Sequence, residues 1–262
     1  MSRPGALVLH GLTGSTQSVA GLAGALAAAG FEVEAPLLPG HGTSPEDLAA
    51  HGWADWSEAA EEAYRRLAAR SGRVVAVGLS MGGALAAGVT AAHPEVAGLA
   101  VVNPLVDPPA PEFRQALQGF LAAGEEFLPG VGGDIADPDA REEAYDRLPV
   151  AALLSMSFGL EALRPRLCDI RCPVLILTSR HDHVVPVAST ELLAGAVSGP
   201  VEQIWLERSR HVATLDVDRD ELERRILDFA VCRSELGGAP DGQKESGSHD
   251  AHCSQHGQGA EH

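Results

Sequence analysis

Basic side chains are in short supply: 19 Lys and Arg stand against 36 Asp and Glu, a formal net charge of -17 over 262 residues. Residues 237–262 contribute -3 of this through one Lys and four acids, which leaves -14 on the body. A surface this acidic repels phosphate backbones and anionic headgroups, which argues against nucleic acid as a partner and against electrostatic attachment to a membrane. A neutral small molecule fits better as a substrate, and the charge also serves solubility. Aromatic residues are few, at 4%, whereas glycine numbers 29, a balance that favours close helix–sheet packing over an aromatic-lined binding module. Cysteine is sparse too, and Cys168, Cys172, Cys232 and Cys253 lack the spacing of a disulfide framework. No apolar run reaches the length of a membrane span, and Met1–Gly5 leads into a strand without a signal-peptide pattern. A reduced, cytoplasmic protein without stable membrane insertion is the expectation.

What is present suits one catalytic domain. Hydrophobic residues make up 45% of the chain, enough for a sizeable core. Short β-type runs alternate with longer helical stretches. The strand expectations are Ala6–His10, Phe31–Ala35, Arg73–Gly78, Val96–Val102, Pro173–Thr178 and Val201–Leu206. The helix expectations are Ser18–Ala29, Trp53–Ala69, Met81–Ala92, Val187–Val197 and Glu221–Val231. Such alternation predicts an α/β fold with a mostly parallel sheet covered on both faces. The segment 105–166 breaks the rhythm. Phe113, Leu117, Phe120, Leu121, Phe127 and Leu128 form a helical apolar stripe, and Ala140–Arg147 and Val150–Leu163 read as further helices with no strand among them. This predicts a helical insertion, either a lid over a site or an excursion that merely packs on the sheet. The division is therefore a core of 1–104 and 167–236, a cap at 105–166, and a disordered tail at 237–262 whose Gly, Ser, Gln and His content carries no apolar periodicity.

Gly78-Leu79-Ser80-Met81-Gly82 is a G-x-S-x-G pattern, of which roughly 0.2 occurrences arise by chance in a chain of this composition. Its setting adds weight, because a strand precedes it and a small-residue helix follows, as a strained nucleophile turn requires. The bland alternative is an N-cap serine on a glycine-rich helix start. His10-Gly11-Leu12-Thr13-Gly14 follows the first strand, where the Leu12 N–H would join that of Met81 in an oxyanion hole. His10 itself reads as a supporting structural residue. Asp182 follows the strand ending at Thr178, and His211 follows the last strand, so loops at one edge of the sheet could bring Ser80, Asp182 and His211 together as nucleophile, orienting acid and base, in the chain order expected when the serine stands on a strand–helix elbow. The H-x-H spacing of His181 and His183 offers a rival metal reading, but no second ligand cluster lies near in sequence. Asp216 and Glu207 are alternative acids, less well placed.

LVLHGLTGS, PLLPGHGTSPEDL, VGLSMGGALA, ADPDAREEAYDRLPVAALL, HDHVVP and SRHVATLDVD together resemble the α/β-hydrolase superfamily, and within it the bacterial monoacylglycerol lipases and carboxylesterases. The resemblance spans nearly all of residues 5–232. It implies Ser80 as nucleophile, His211 as base, Asp182 as the acid orienting it, and backbone N–H groups of Leu12 and Met81 as oxyanion donors. It also implies that Val131 lines an acyl channel and that Glu142 meets glycerol hydroxyls, although a solvated helix face accounts for Glu142 equally well. Leu12 stands where an aromatic is common. No cofactor is expected for acyl transfer of this kind, and monomer and homodimer both stay open. Lysophospholipase, C–C hydrolase and cofactor-free haloperoxidase chemistry are rivals within the fold. A non-catalytic ligand receptor is a rival of another class.

Overall fold

The computed structural model describes residues 2–235. The tail and its His249, His252, Cys253, His256 and His262 lie outside the described residues. In chain order the elements are β1 (Gly5–Leu9), α1 (Ala20–Ala28), β2 (Glu32–Glu34), α2 (Pro45–Ala49), α3 (Trp53–Ala68), β3 (Val74–Leu79), α4 (Met81–Ala92), β4 (Gly98–Val102), α5 (Pro111–Ala122), β5 (Phe127–Pro129), β6 (Arg147–Pro149), α6 (Val150–Leu163), β7 (Val174–Ser179), α7 (Val187–Ala196), β8 (Val201–Leu206) and α8 (Arg219–Glu235).

Six strands form one parallel sheet in the order β2-β1-β3-β4-β7-β8. Parallel strands need crossovers, and the crossover helices cover both faces, which is why β1, β3, β4 and β7 are buried end to end. Side chains alternate between two cores. Leu7, Leu9, Ala76, Leu99, Val101 and Ile176 pack with α3, α4 and α6 on one face. Ala6, Val8, Val75, Val77, Ala100 and Leu177 pack with α1 and α8 on the other. Helix α3 presents Trp56, Ala60, Ala63, Tyr64 and Leu67 along one buried stripe, the 3.6-residue period its sequence carries. Helix α4 is buried almost all round, and its Gly and Ala residues let it lie close against the sheet.

Between β4 and β7 the chain leaves the sheet, and here two sequence expectations are corrected. Phe127 and Leu128 do not extend the helical stripe. They belong to a two-stranded antiparallel ribbon, β5 with β6, in which Leu128 faces Leu148. Pro129 and Pro149 are tolerated because a ribbon of two short strands leaves many N–H groups unused. Residues 140–147 form no helix. Tertiary bonds hold this stretch open instead: the Tyr145 N–H donates to Thr13 O (3.1 Å), the Glu143 N–H donates to Gln17 Oε1 (3.2 Å), and the Glu142 carboxylate accepts from the Gly133 N–H (2.8 Å). Helices α5 and α6 do form, with Leu117 and most of the inner face of α6 buried.

Candidate active site

Ser80 stands between β3 and α4 with φ 55° and ψ -118°, a conformation that side chains rarely adopt. The turn is held on both sides: the Ser80 N–H donates to Val102 O (3.0 Å), and the Gly83 N–H donates to Ser80 O (2.9 Å). Glycine is obligatory at two positions. A Cβ on Gly78 would overlap Gly82 O, and a Cβ on Gly82 would overlap Leu9 O. The elbow is thus compressed against β1, and Gly11 lies beside Ser80, since a Cβ there would sit 3.5 Å from Ser80 Cβ. Met81 opens α4 with its side chain in the core, and the first N–H groups of a helix have no intrahelical partner. Leu12, after β1, lines the same cavity as Ser80.

Asp182 follows β7 and His211 follows β8. Their side chains are 4% and 8% exposed, and the imidazole Nδ1–H donates to Asp182 Oδ2 at 2.8 Å. The second oxygen of Asp182 accepts from the Val184 and Val185 N–H groups, both at 2.8 Å, so the carboxylate is fixed at two points. Ser80 and His211 line one cavity of about 480 Å³. Its walls are mostly apolar, with Leu105, Phe113, Leu153, Met156 and Leu160 among them. The other charged side chains at its wall are Asp107 and Glu142. Burial pushes the Glu142 carboxyl above its ordinary range, against the opposing pulls of the Gly133 N–H and of His211. Val131 also lines the cavity and is 44% exposed, which puts it at the mouth.

The remaining candidates have other partners. Asp216 accepts four backbone N–H bonds, from Ala136, Asp137, Arg210 and Val217, and Glu207 pairs with Arg180. His10 is fully buried, donating from Nδ1 to Gly11 O (2.9 Å) and accepting at Nε2 from the Leu38 N–H (3.1 Å). His183 binds Asp134, and His181 is exposed. No group of three or more His, Cys, Asp or Glu side chains gathers to hold a metal among the described residues.

Three supporting residues escaped the sequence reading. Asn103, at φ 45°, donates from Nδ2 to His211 O (2.7 Å) and accepts at Oδ1 from the Ser179 N–H (2.7 Å), tying the ends of β4 and β7 to the loop that carries His211. Asp134 binds the same loop from the excursion. The Tyr145 hydroxyl donates to Gly40 O (2.9 Å) and accepts from the Thr43 N–H (2.8 Å).

A parallel sheet, a serine on a strained strand–helix elbow, and an Asp–His pair on loops after two later strands define an α/β-hydrolase. The chain belongs to the hydrolase family described as serine aminopeptidase, S33, whose profile matches residues 3–218. It is 37% identical to a thermostable monoacylglycerol lipase of Bacillus sp. (strain H-257), with 86% of this chain and 89% of the relative covered. A carboxylesterase of Bacillus subtilis (strain 168) is 27% identical, with 85% and 90% covered. Among solved structures, one described under LipS and LipT, two metagenome-derived lipolytic enzymes, superposes with a TM-score of 0.83 at 39% identity, covering 88% of this chain and 94% of the other. No helix among the described residues is long and apolar enough to cross a membrane.

Proposed function

We propose that the chain is a serine carboxylic-ester hydrolase that works through an acyl-enzyme on monoacylglycerols or other short and medium acyl esters. The observation that carries this reading is the buried 2.8 Å His211–Asp182 bond at the wall of the apolar cavity that also holds the strained Ser80. His211, with Nδ1 held by Asp182, takes the serine proton at Nε2 as Ser80 Oγ attacks the ester carbonyl. The Leu12 and Met81 N–H groups receive the oxyanion, each such donor being worth about 3–4 kcal/mol in the transition state. His211 then protonates the departing alcohol, and water activated by the same nitrogen releases the acid. The excursion at 105–166 acts as a cap whose apolar side chains receive the acyl chain, with Val131 at the channel mouth. Free thiols at Cys168, Cys172 and Cys232 suit a reducing compartment, and we place the chain in the cytoplasm as a monomer or homodimer.

Turnover of a panel of monoacylglycerols, p-nitrophenyl esters and an amino-acid p-nitroanilide tests the reading. Esters should be hydrolysed and the anilide left intact. A fluorophosphonate should label the wild-type chain and not Ser80→Ala. No ester turnover, or labelling that persists in that variant, overturns the proposal.

Glu142 supplies a second prediction. A carboxyl at the wall of an apolar cavity is suited to bind alcohol hydroxyls, so Glu142→Ala should raise KM for a monoacylglycerol about tenfold, the loss of one good hydrogen bond. Hydrolysis of a p-nitrophenyl ester, which has no such hydroxyls, should change by less than about threefold. Equal effects on both substrates would remove Glu142 from the alcohol side of the cavity.

A further inference from the structure

Asp134 lies on the chain between β5 and β6, about 50 residues before Asp182 and about 80 before His211, yet it bonds to both of their loops. Its carboxylate is 12% exposed. Oδ2 accepts from the His183 N–H at 3.0 Å and from the His211 N–H at 3.2 Å. Oδ1 accepts from His183 Nδ1 at 2.9 Å, and the Asp134 carbonyl accepts from the Val212 N–H at 3.1 Å. Burial alone would push this carboxyl up, but the bonds from the His183 ring, the His183 N–H and the His211 N–H outweigh it and hold the group below its ordinary range. One ionised carboxylate thus grips the residue next to Asp182 and the backbone of His211 itself. The neighbouring residues repeat the arrangement. The Ala136 and Asp137 N–H groups donate to the Asp216 carboxylate, both at 2.9 Å, and the same carboxylate accepts from the Arg210 N–H at 2.7 Å.

We propose that Asp134 is a positioning residue of the active site: it fixes the acid loop against the base loop, so that the Asp182–His211 bond forms only with this part of the cap seated. The inference rests on the proposed Ser80–His211–Asp182 mechanism. Its physical basis is the steep dependence of proton transfer on geometry, since a misplacement of about 1 Å costs on the order of 100-fold in rate. Neither loop is regular secondary structure at the relevant residues, and loops keep their place through the bonds that reach them. Asp134 supplies such bonds to both, from a segment that also borders the cavity through Val131 and Gly132.

The test compares Asp134→Ala and Asp134→Asn with the wild-type chain, by kcat and KM on a p-nitrophenyl ester and by thermal melting. The alanine variant should lose about 100-fold in kcat with KM within about twofold. The asparagine variant, whose Oδ1 can still accept from both N–H groups, should recover to within about tenfold of wild type. His211→Ala in the same assay separates the two levels of the argument: if it keeps turnover, the underlying mechanism fails, whatever Asp134 does. If His211→Ala is inactive and folded Asp134→Ala keeps wild-type kcat, or loses only KM, the positioning role is overturned. Should the alanine variant fail to fold, Asp134→Glu decides, because it keeps the charge and moves the carboxylate by one methylene. A fall in kcat of about tenfold or more at constant KM supports the proposal, and wild-type kcat overturns it.

Discussion

Asp182→Asn is expected to lower kcat about 10,000-fold while leaving the melting temperature and KM nearly unchanged. The size follows from how the carboxylate is held. Asp182 Oδ1 accepts from the Val184 and Val185 N–H groups, and only Oδ2 faces the imidazole. An asparagine of the same shape keeps its carbonyl oxygen on the two N–H groups, since its amide nitrogen cannot accept them. The amide NH2 then points at His211 Nδ1 and can bond there only if that nitrogen is unprotonated. The proton moves to Nε2, the nitrogen that must accept from Ser80, and the general base is lost without any change of shape. With the pair 4% and 8% exposed, water has little room to correct the tautomer. The measurement is single-substrate kinetics on a p-nitrophenyl ester alongside a thermal melt. A loss below about 100-fold in a folded variant would mean that Asp182 is not the orienting acid.

The candidate site was legible in sequence where its geometry depends on the local chain. The elbow is such a place: Gly78 and Gly82 are there because any Cβ would strike Gly82 O or Leu9 O, so the constraint is written into the motif itself. Asp182 and His211 could be picked out as candidates because each follows a run that reads as a strand, the buried Val174–Ser179 and the part-exposed Val201–Leu206. Val131 and Glu142 were reached by resemblance, and both line the cavity. What could not be read was long-range. Asp134 and Asn103 are polar residues in loops, and their partners lie about 50 to 110 positions away, so no window of the sequence links them. The misreading of 140–147 has the same origin. Its composition suits a helix, but bonds to Thr13, Gln17 and Gly133 hold the chain open, and tertiary contacts outrank propensity. The short helix α2 was within reach, because Ser44-Pro45-Glu46-Asp47 is an N-terminal signature, with Ser44 Oγ accepting from the Asp47 N–H.

Stability should fall steeply as pH drops from about 6.5 to about 4, because two histidines beneath the site are buried uncharged. His10 and His41 are 0% and 1% exposed, and each is held down to about 4, by burial first and then, for His10, by the neighbouring His41. Their bonding explains the resistance to protonation. His10 Nε2 accepts from the Leu38 N–H, so a proton there would face another proton. His41 donates from Nδ1 to Pro39 O, its Nε2 finds no partner among the described residues, and its ring stands edge-on to both Trp56 and the His10 ring, whose centroid is 4.9 Å away. In the unfolded chain both take up protons near pH 6.5. A folded value below the unfolded one means that the stabilisation is complete above about pH 6.5 and is lost as pH falls toward 4. At pH 5 each histidine costs about 2 kcal/mol by proton linkage. Together that is a large share of the roughly 5–15 kcal/mol that holds a domain folded, and it corresponds to a drop of about 10 °C in Tm between pH 7.5 and 5. Asp134, Asp218 and Glu221, all held below the ordinary carboxylate range, add their losses at lower pH, where carboxyls of the unfolded chain protonate. Thermal melts across pH 4.5–7.5 measure the slope, and a Tm that stays level from 7 to 5 would contradict it. Because His10 directly precedes Gly11 and Leu12, the loop beside Ser80 should loosen over the same interval, and ester hydrolysis should fall with it and return when the pH is restored.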